Sequence, residues 1–240
     1  MLHEWTEPAV TRRGMAFADA VFDGHAALDG VQGVRIDDPA ELSRCLFARA
    51  TIPVVALELA RILERVHPEV LVDARMRKRA RPEVQRGLAS LTVGLGPGFV
   101  AGETTDLVVE TSWQALGHVI AVGSPLPLAG EPRPIAGYGR ERYVYAPVSG
   151  VFRTTFHIGD RVKAGEVLAR IGATLLAAPL DGAIRGLTRG GVTVSIGTKV
   201  IEVDPRDQAI TRGIGERPAR IADGVARAIQ MWDDTCQRHG

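Results

Sequence analysis

The feature that most constrains this chain is an internal repeat. Residues 146–171, APVSGVFRTTFHIGDRVKAGEVLARI, lie over residues 178–203, APLDGAIRGLTRGGVTVSIGTKVIEV, at a constant offset of 32 without a gap. Ala146/Ala178, Pro147/Pro179, Gly150/Gly182, Arg153/Arg185, Gly159/Gly191, Val162/Val194 and Gly165/Gly197 are identical. Val148/Leu180, Leu168/Val200 and Ile171/Val203 keep their apolar character. Self-similarity this regular marks a duplicated structural unit. Each half is too short to bury its own apolar face, so the two halves are expected to pair into one sandwich. The glycines mark tight turns, where only that residue takes a positive φ without steric cost.

The order AP-x-x-G, G-x-x-V-x-x-G and a closing strand resembles the barrel-sandwich fold of biotinyl and lipoyl domains. Such a carrier needs a lysine at the tip of the hairpin joining its halves, because the amine is the attachment point. Here the tip is GATLLA, 172–177, and contains none; Lys163 and Lys199 stand elsewhere. Covalent biotin or lipoate is therefore excluded, and the module is read as structural or as a docking surface.

Upstream, the apolar pattern changes period. IPVVALE reads as a strand, and Leu59, Ile62, Leu63 and Val66 share one helical face. Pro68 closes that helix and EVLVDAR returns as a strand ending at Asp73. Strand, helix, strand is the pattern of a βαβ unit in an α/β layer. Met15 to Asp38, with Asp-Gly at 23–24 and 29–30, reads as small strands with tight turns. SLTVGLGPGFVAGETTDLVVETS gives a strand, a glycine-rich bend and another strand, and 123–139 reads as a Pro/Gly connector. From Pro218 a helix follows, with Ile221, Val225, Ala228, Ile229 and Trp232 near a 3.6 period.

The expected fold is thus α/β plus β. A partial Rossmann-like α/β domain occupies 1–140, a lipoyl-like barrel-sandwich module 141–207, and a helix packing on the fold 208–240.

Charge narrows the partners. Lys+Arg number 29 and Asp+Glu 28, so there is no general attraction to nucleic acid or to an acidic membrane. No apolar run reaches membrane-spanning length, and MLHEWTEPAVTRR lacks the apolar core of a signal peptide. A cytoplasmic location is expected. Cys45 and Cys236 have no CxxC partner, and the six histidines share no metal spacing, so no metal site is expected.

Candidate ligand-binding residues fall in two places. Asp73 ends a strand, where open α/β sheets keep functional carboxylates; Arg75 and Lys78 follow and could hold an anionic group. The loop Gly94, Gly96, Gly98 to Gly102 could bring backbone N–H groups against an anion. It is neither GxGxxG nor a P-loop, and Pro97 removes a donor. Asp106 and Glu110 share one edge face of their strand but suggest no acid/base pair. No catalytic residue is assigned.

VDARMRKR, GLGPGF-x-AG, TDLVVETS, GS-x-x-P and ER-x-x-x-AP-x-x-G, in that order and after AVTRRGMAFADAVFDG, resemble the YqeB-like accessory proteins of the selenium-dependent molybdenum hydroxylase system. These are related to the XdhC-type proteins. The resemblance implies a maturation protein that binds the molybdenum cofactor, a precursor or the client hydroxylase, and is not itself the hydroxylase. Family members open with a strand and a glycine-rich turn; Met1 lies beyond that point, so by this resemblance the chain is N-terminally truncated by roughly one βα unit and its α/β domain is partial. Two runs depart from the family: SWQALGH stands where it carries Arg-Gly-His, and PLPLAGEP where it carries Asn-Thr-Gly. The residues leave two other readings open, a nucleotide- or small-anion-binding enzyme on the α/β part and a non-catalytic interaction module.

Overall fold

The computed structural model describes residues 1–76, 82–128 and 132–239. Among the described residues it is a mixed α/β protein with four four-stranded sheets and a long C-terminal helix. Contacts divide it into two units. One joins Met1–Glu58 to Glu131–Ile214; the other joins Leu59–Gly130 to Gly215–Gly240.

The first unit opens with β1 (Leu2–His3), a 3₁₀ turn at Phe17–Asp19, α1 (Ala20–Asp23), β2 (His25–Leu28), β3 (Val31–Arg35), α2 (Pro39–Ala48) and β4 (Ile52–Val55). Asp29 and Gly30 turn β2 into β3, the tight hairpin that Asp-Gly favours. The Asp38 carboxylate caps α2 by accepting from the Ala40 amide at 2.8 Å, and Pro39 starts the helix. The sheet order is β1-β4-β3-β2, with β4 parallel to β1 and β3.

The second unit holds α3 (Leu59–Val66), β5 (Val70–Asp73), β6 (Leu91–Leu95), β7 (Leu107–Val109), β8 (Val119–Ile120) and α4 (Glu216–His239). β5, β6 and β7 are parallel neighbours and β8 closes the edge antiparallel. Ile221, Ala228, Val225, Ile229 and Trp232 of α4 pack with Leu91, Val93, Leu95 and Val109, as the helical period requires. Two glycines let α4 come close. A Cβ on Gly224 would stand 2.6 Å from the Gly117 carbonyl oxygen, and one on Gly117 would overlap the Arg220 carbonyl.

The expected βαβ unit is not formed. Its strand, helix and strand all exist, but β4 and β5 belong to different sheets and different units. A local apolar pattern sets each element; which sheet a strand joins depends on the edge it meets. The boundaries of the two contact units fall at 58, 130 and 214.

The repeat supplies β9 (Tyr143–Tyr145), β10 (Gly150–Arg153), β11 (Arg161–Val162), β12 (Val167–Ile171), β13 (Thr174–Ala177), β14 (Gly182–Leu187), β15 (Thr193–Val194) and β16 (Lys199–Asp204). The sheets run β13-β12-β10-β15 and β9-β16-β14-β11. Under the offset of 32 the first order maps onto the second strand by strand. Each copy therefore lends one short strand to the other's sheet: β10 pairs with β15 and β11 with β14.

The hydrogen bonds repeat as well. Gly159 N–H donates to Ile184 O and Gly191 N–H to Phe152 O, both at 2.8 Å. Gly165 N–H donates to Ala178 O at 2.9 Å and Gly197 N–H to Ala146 O at 2.8 Å. Their φ values match in pairs, +97° and +96° for Gly159/Gly191 and +83° and +81° for Gly165/Gly197. Phe152, Leu168, Ile171 and Leu176 from one sheet and Ile184, Leu187, Ile201 and Val203 from the other form one buried core.

A Cβ on Gly182 would overlap the Asp204 carbonyl, whereas on its mate Gly150 it would stand 3.0 Å from a methyl of Ile171. A methyl can give way and a paired backbone cannot. Gly182→Ala is expected to lose about 1–3 kcal/mol, and more than Gly150→Ala, in urea unfolding of both variants.

Candidate functional site

In the second unit the carboxyl ends of β5 and β6 lie side by side, because Asp73 is in register with Gly94. Open α/β sheets bind ligands beyond this edge. Asp73 is buried, and Arg75 folds back on it: its Nε stands 3.0 and 3.1 Å from the two carboxylate oxygens, with a further contact from a terminal nitrogen. That same nitrogen reaches Glu83 at 2.9 Å. The Asp73 hydrogen bond holds the Arg75 proton affinity above its usual value, against burial.

The glycines of the loop do different jobs. Gly94 has no room for a side chain, since Phe99 lies flat against it. Gly96 has φ +83° and a Cβ there would meet the Thr111 hydroxyl at 2.6 Å; its own N–H is spent on Val109 O at 3.0 Å. Gly98 is exposed with φ +93°, and neither its N–H nor that of Phe99 has an acceptor among the described residues. Two successive free donors thus follow β6 at the edge where Asp73 and Arg75 stand. Such N–H pairs suit an anionic oxygen.

Gly102 is elsewhere. It donates to Thr105 O at 2.7 Å in the turn that enters β7, the opposite end of the sheet. The structure therefore gathers Asp73, Arg75, Gly94, Gly96 and Gly98 and separates Gly102 from them. Lys78 lies outside the described residues.

Sequence reasoning missed what braces this edge. Glu110, directly after β7, is buried. Its carboxylate accepts from the Thr111 and Ser112 amides, both at 2.7 Å, and from Leu126 N–H at 2.6 Å. Arg217 of α4 donates to Thr111 O at 2.8 and 3.1 Å; burial lowers its pKa, with Glu110 acting the other way. Asp106 does not accompany Glu110. At the other end of β7, it accepts from Thr92 N–H and Oγ1 at 2.8 and 2.6 Å. The Thr111 hydroxyl, pressed on Gly96, has no hydrogen-bond partner among the described residues, a trait shared with Thr105 and Thr188. A Glu at a strand end gives no spacing signal by itself, so only the three converging amides expose its role.

The first unit carries an ionic cluster around Glu202 on β16. Arg12 reaches its carboxylate at 2.8 Å, Arg185 at 3.2 Å and Lys199 at 3.3 Å, and Arg142 also bonds to it. Burial by itself would raise the Glu202 pKa, but Arg12, Lys199, Arg142 and Arg185 together hold it below the usual value. Lys199 is lowered, first by burial and then by Arg12 and Arg142, against the pull of Glu202.

Comparisons place the chain among known proteins. It is 36% identical over 232 residues to the uncharacterized protein YqeB of Escherichia coli (strain K12). The two are homologous there. The match takes in 95% of this chain but 42% of that relative, so the chain spans less than half of its length. No family model matches.

Among solved structures, a succinylglutamate desuccinylase/aspartoacylase from Rhodobacter sphaeroides is 28% identical over 26% of this chain and 22% of its own, with a TM-score of 0.25. The product-bound ectoine utilization protein EutE (DoeB) from Ruegeria pomeroyi is 20% identical over 32% and 24%, with a TM-score of 0.26. A putative enzyme of the first kind from Shewanella frigidimarina NCIMB 400 is 18% identical over 37% and 25%, with a TM-score of 0.25. Likenesses this local carry no argument about activity.

Glu110→Gln replaces an acceptor oxygen by an N–H₂ group facing backbone donors. It should cost about 2–3 kcal/mol, read as a lower urea midpoint at unchanged slope. Glu202 sets a pH dependence. Its lowered native pKa contributes stability that is complete above the unfolded value of about 4.3 and is lost as pH falls through the native value. Urea midpoints of the wild type should fall on acidification through this range, and Glu202→Gln should show a shallower slope.

Proposed function

We propose that this protein is an accessory protein in the assembly of a molybdenum-containing hydroxylase, and holds the cofactor, a precursor or the client at the carboxyl edge of β5 and β6. The observation that carries the site is the register of Asp73 with Gly94. It brings the carboxyl ends of β5 and β6 together, so that Arg75 and the loop carrying the exposed Gly98 leave the sheet at one edge, a set suited to an anionic, hydrogen-bonding group such as a phosphate or an oxo-anion. The system is suggested by the ordered motifs from Val72 to Gly150, and homology with YqeB over nearly the whole chain supports reading them together. In this proposal β5, β6 and β7 belong to a Rossmann-like layer. The duplicated sheets are a lipoyl-like module whose β12–β13 hairpin tip, Gly172 and Ala173, offers no amine for acylation.

The geometry gives each residue a task. Arg75 is pre-oriented by the Asp73 carboxylate, so its guanidinium is held at the edge with little rotamer entropy left to lose on binding. The Gly96–Thr111 contact fixes the path of the loop, and Glu110 ties the next loop and Leu126 to the same edge. Arg75→Lys keeps the charge but not the fork. When a molybdenum hydroxylase is co-expressed with this variant, its molybdenum content and activity should fall about tenfold, the scale of one lost charge-assisted contact. The accessory protein's own melting midpoint should stay within a few degrees of wild type. Unchanged activation of the client would defeat the assignment of this edge. A melting response of the wild type to NAD or ATP but none to molybdopterin precursors would favour a nucleotide enzyme instead.

A further inference from the structure

The cluster around Glu202 holds more positive charge than it can use. Arg12, Arg142, Arg185 and Lys199 all address one carboxylate. The other buried acid nearby, Asp204, is engaged by Arg206 through Nε at 2.9 Å and a terminal nitrogen at 2.6 Å, and lies 3.8 Å from Arg185. A carboxylate offers about four lone-pair sites, so Glu202 is saturated by these contacts, yet it cancels only one of four charges. Arg142 is 3% exposed and its Nε has no partner among the described residues.

Tyr143 completes the wall. Its ring lies 4.4 Å from the Arg142 guanidinium and 4.6 Å from the Lys199 ammonium. Its hydroxyl accepts from Arg142 at 2.6 Å, which leaves the phenolic proton to donate elsewhere. Burial, first, and then Glu202 raise its pKa, so that proton stays on. The cluster is not closed over: the Arg12 and Lys199 side chains are 29% and 31% exposed.

The internal repeat supplies a comparison within the same chain. At the offset of 32, Glu202 corresponds to Arg170 and Lys199 to Val167, both exposed. Arg185 is matched by Arg153, but at Lys199 and Glu202 the second copy departs from the first. The sheet β13-β12-β10-β15 forms with exposed Val167 and Arg170 at the matching positions, so the strand pairing of the repeat does not itself call for the cluster.

We propose that Arg12, Lys199, Arg142, Arg185 and the Tyr143 hydroxyl form a binding site for a doubly charged oxyanion of the phosphate class, free or as a monoester. Glu202 is the buried counter-charge that holds the four cations in place, and the bound oxyanion offsets two of the three positive charges that Glu202 leaves. Arg12 and Lys199 form the mouth. The site lies in the first unit and is independent of the sheet edge proposed above.

Inorganic phosphate is the probe. Calorimetric titration of the 240-residue chain, at ionic strength held constant with potassium chloride, should show saturable binding. Its melting midpoint should rise by about 5–10 °C at a hundredfold excess over Kd. Arg12→Gln and Lys199→Gln each leave Glu202 with three cations, so both should fold; each should weaken phosphate at least tenfold. Arg161→Gln, on an exposed arginine outside the cluster, should bind as the wild type does. A phenyl phosphate arm compared with free phosphate separates a monoester ligand from the bare ion. Absence of saturable phosphate binding by the wild type, or unchanged phosphate affinity in both Arg12→Gln and Lys199→Gln, would overturn the proposal.

Discussion

The structure of the first unit depends on a reciprocal exchange of backbone hydrogen bonds between two copies of one sequence. Phe152 N–H donates to Val192 O and Ile184 N–H to Asp160 O, each at 2.9 Å, and these are the same bond seen from either copy. Because each copy lends a short strand to the other's sheet, neither copy has a complete sheet of its own. Folding of this part therefore couples residues far apart in the chain, and Phe152, at the middle of the exchange, is fully buried. The identical glycines hold the turns that make the exchange possible, which explains why so many of the matching positions are glycine.

On this symmetric frame the N-terminal segment adds an asymmetric element. Leu187 N–H donates to Thr11 O at 2.7 Å, which fixes the next residue, Arg12, over Glu202. Two like charges about 5.5 Å apart repel by roughly 3 kcal/mol at an effective dielectric near 20. An ion cluster with a surplus of one sign is thus costly unless another charge attends it. Arg189 ties the same N-terminal region through Asp23, whose carboxyl it holds below the usual range, against the effect of burial. Arginine, which forms 26 of the 29 cations, is the side chain suited to these forked, partly buried contacts.

In the second unit the edge of the parallel strands is braced from behind. Glu110 ties the β7–β8 connection to Leu126, Arg217 and the close contact at Gly117 tie that connection to α4, and the apolar stripe of α4 covers β6 and β7. The loop after β6 joins this braced region through the Gly96 N–H, which donates to Val109 O at 3.0 Å, while Gly98 remains exposed. Rigid support with a solvent-facing loop is the arrangement that binding needs, because less order has to be imposed when a ligand arrives.

Several elements were legible in the sequence alone. The offset of 32 gave the paired halves, the 3.6 period from Ile221 to Trp232 gave α4 and its buried face, and Asp29-Gly30 gave a hairpin; each rests on local geometry that the residue pattern dictates. What only the tertiary structure decided is partnership. It sent β4 and β5 to different sheets, returned residues 1–58 to the company of the repeat, set Gly102 at the far end of β7, and gathered Arg12, Arg142, Arg185 and Lys199, up to 187 positions apart in number, around one glutamate. Periodicity reports the shape of each element over a few residues. Which strand edge or which charge it meets depends on the sum of long-range burial and pairing, and no window of the chain contains that sum.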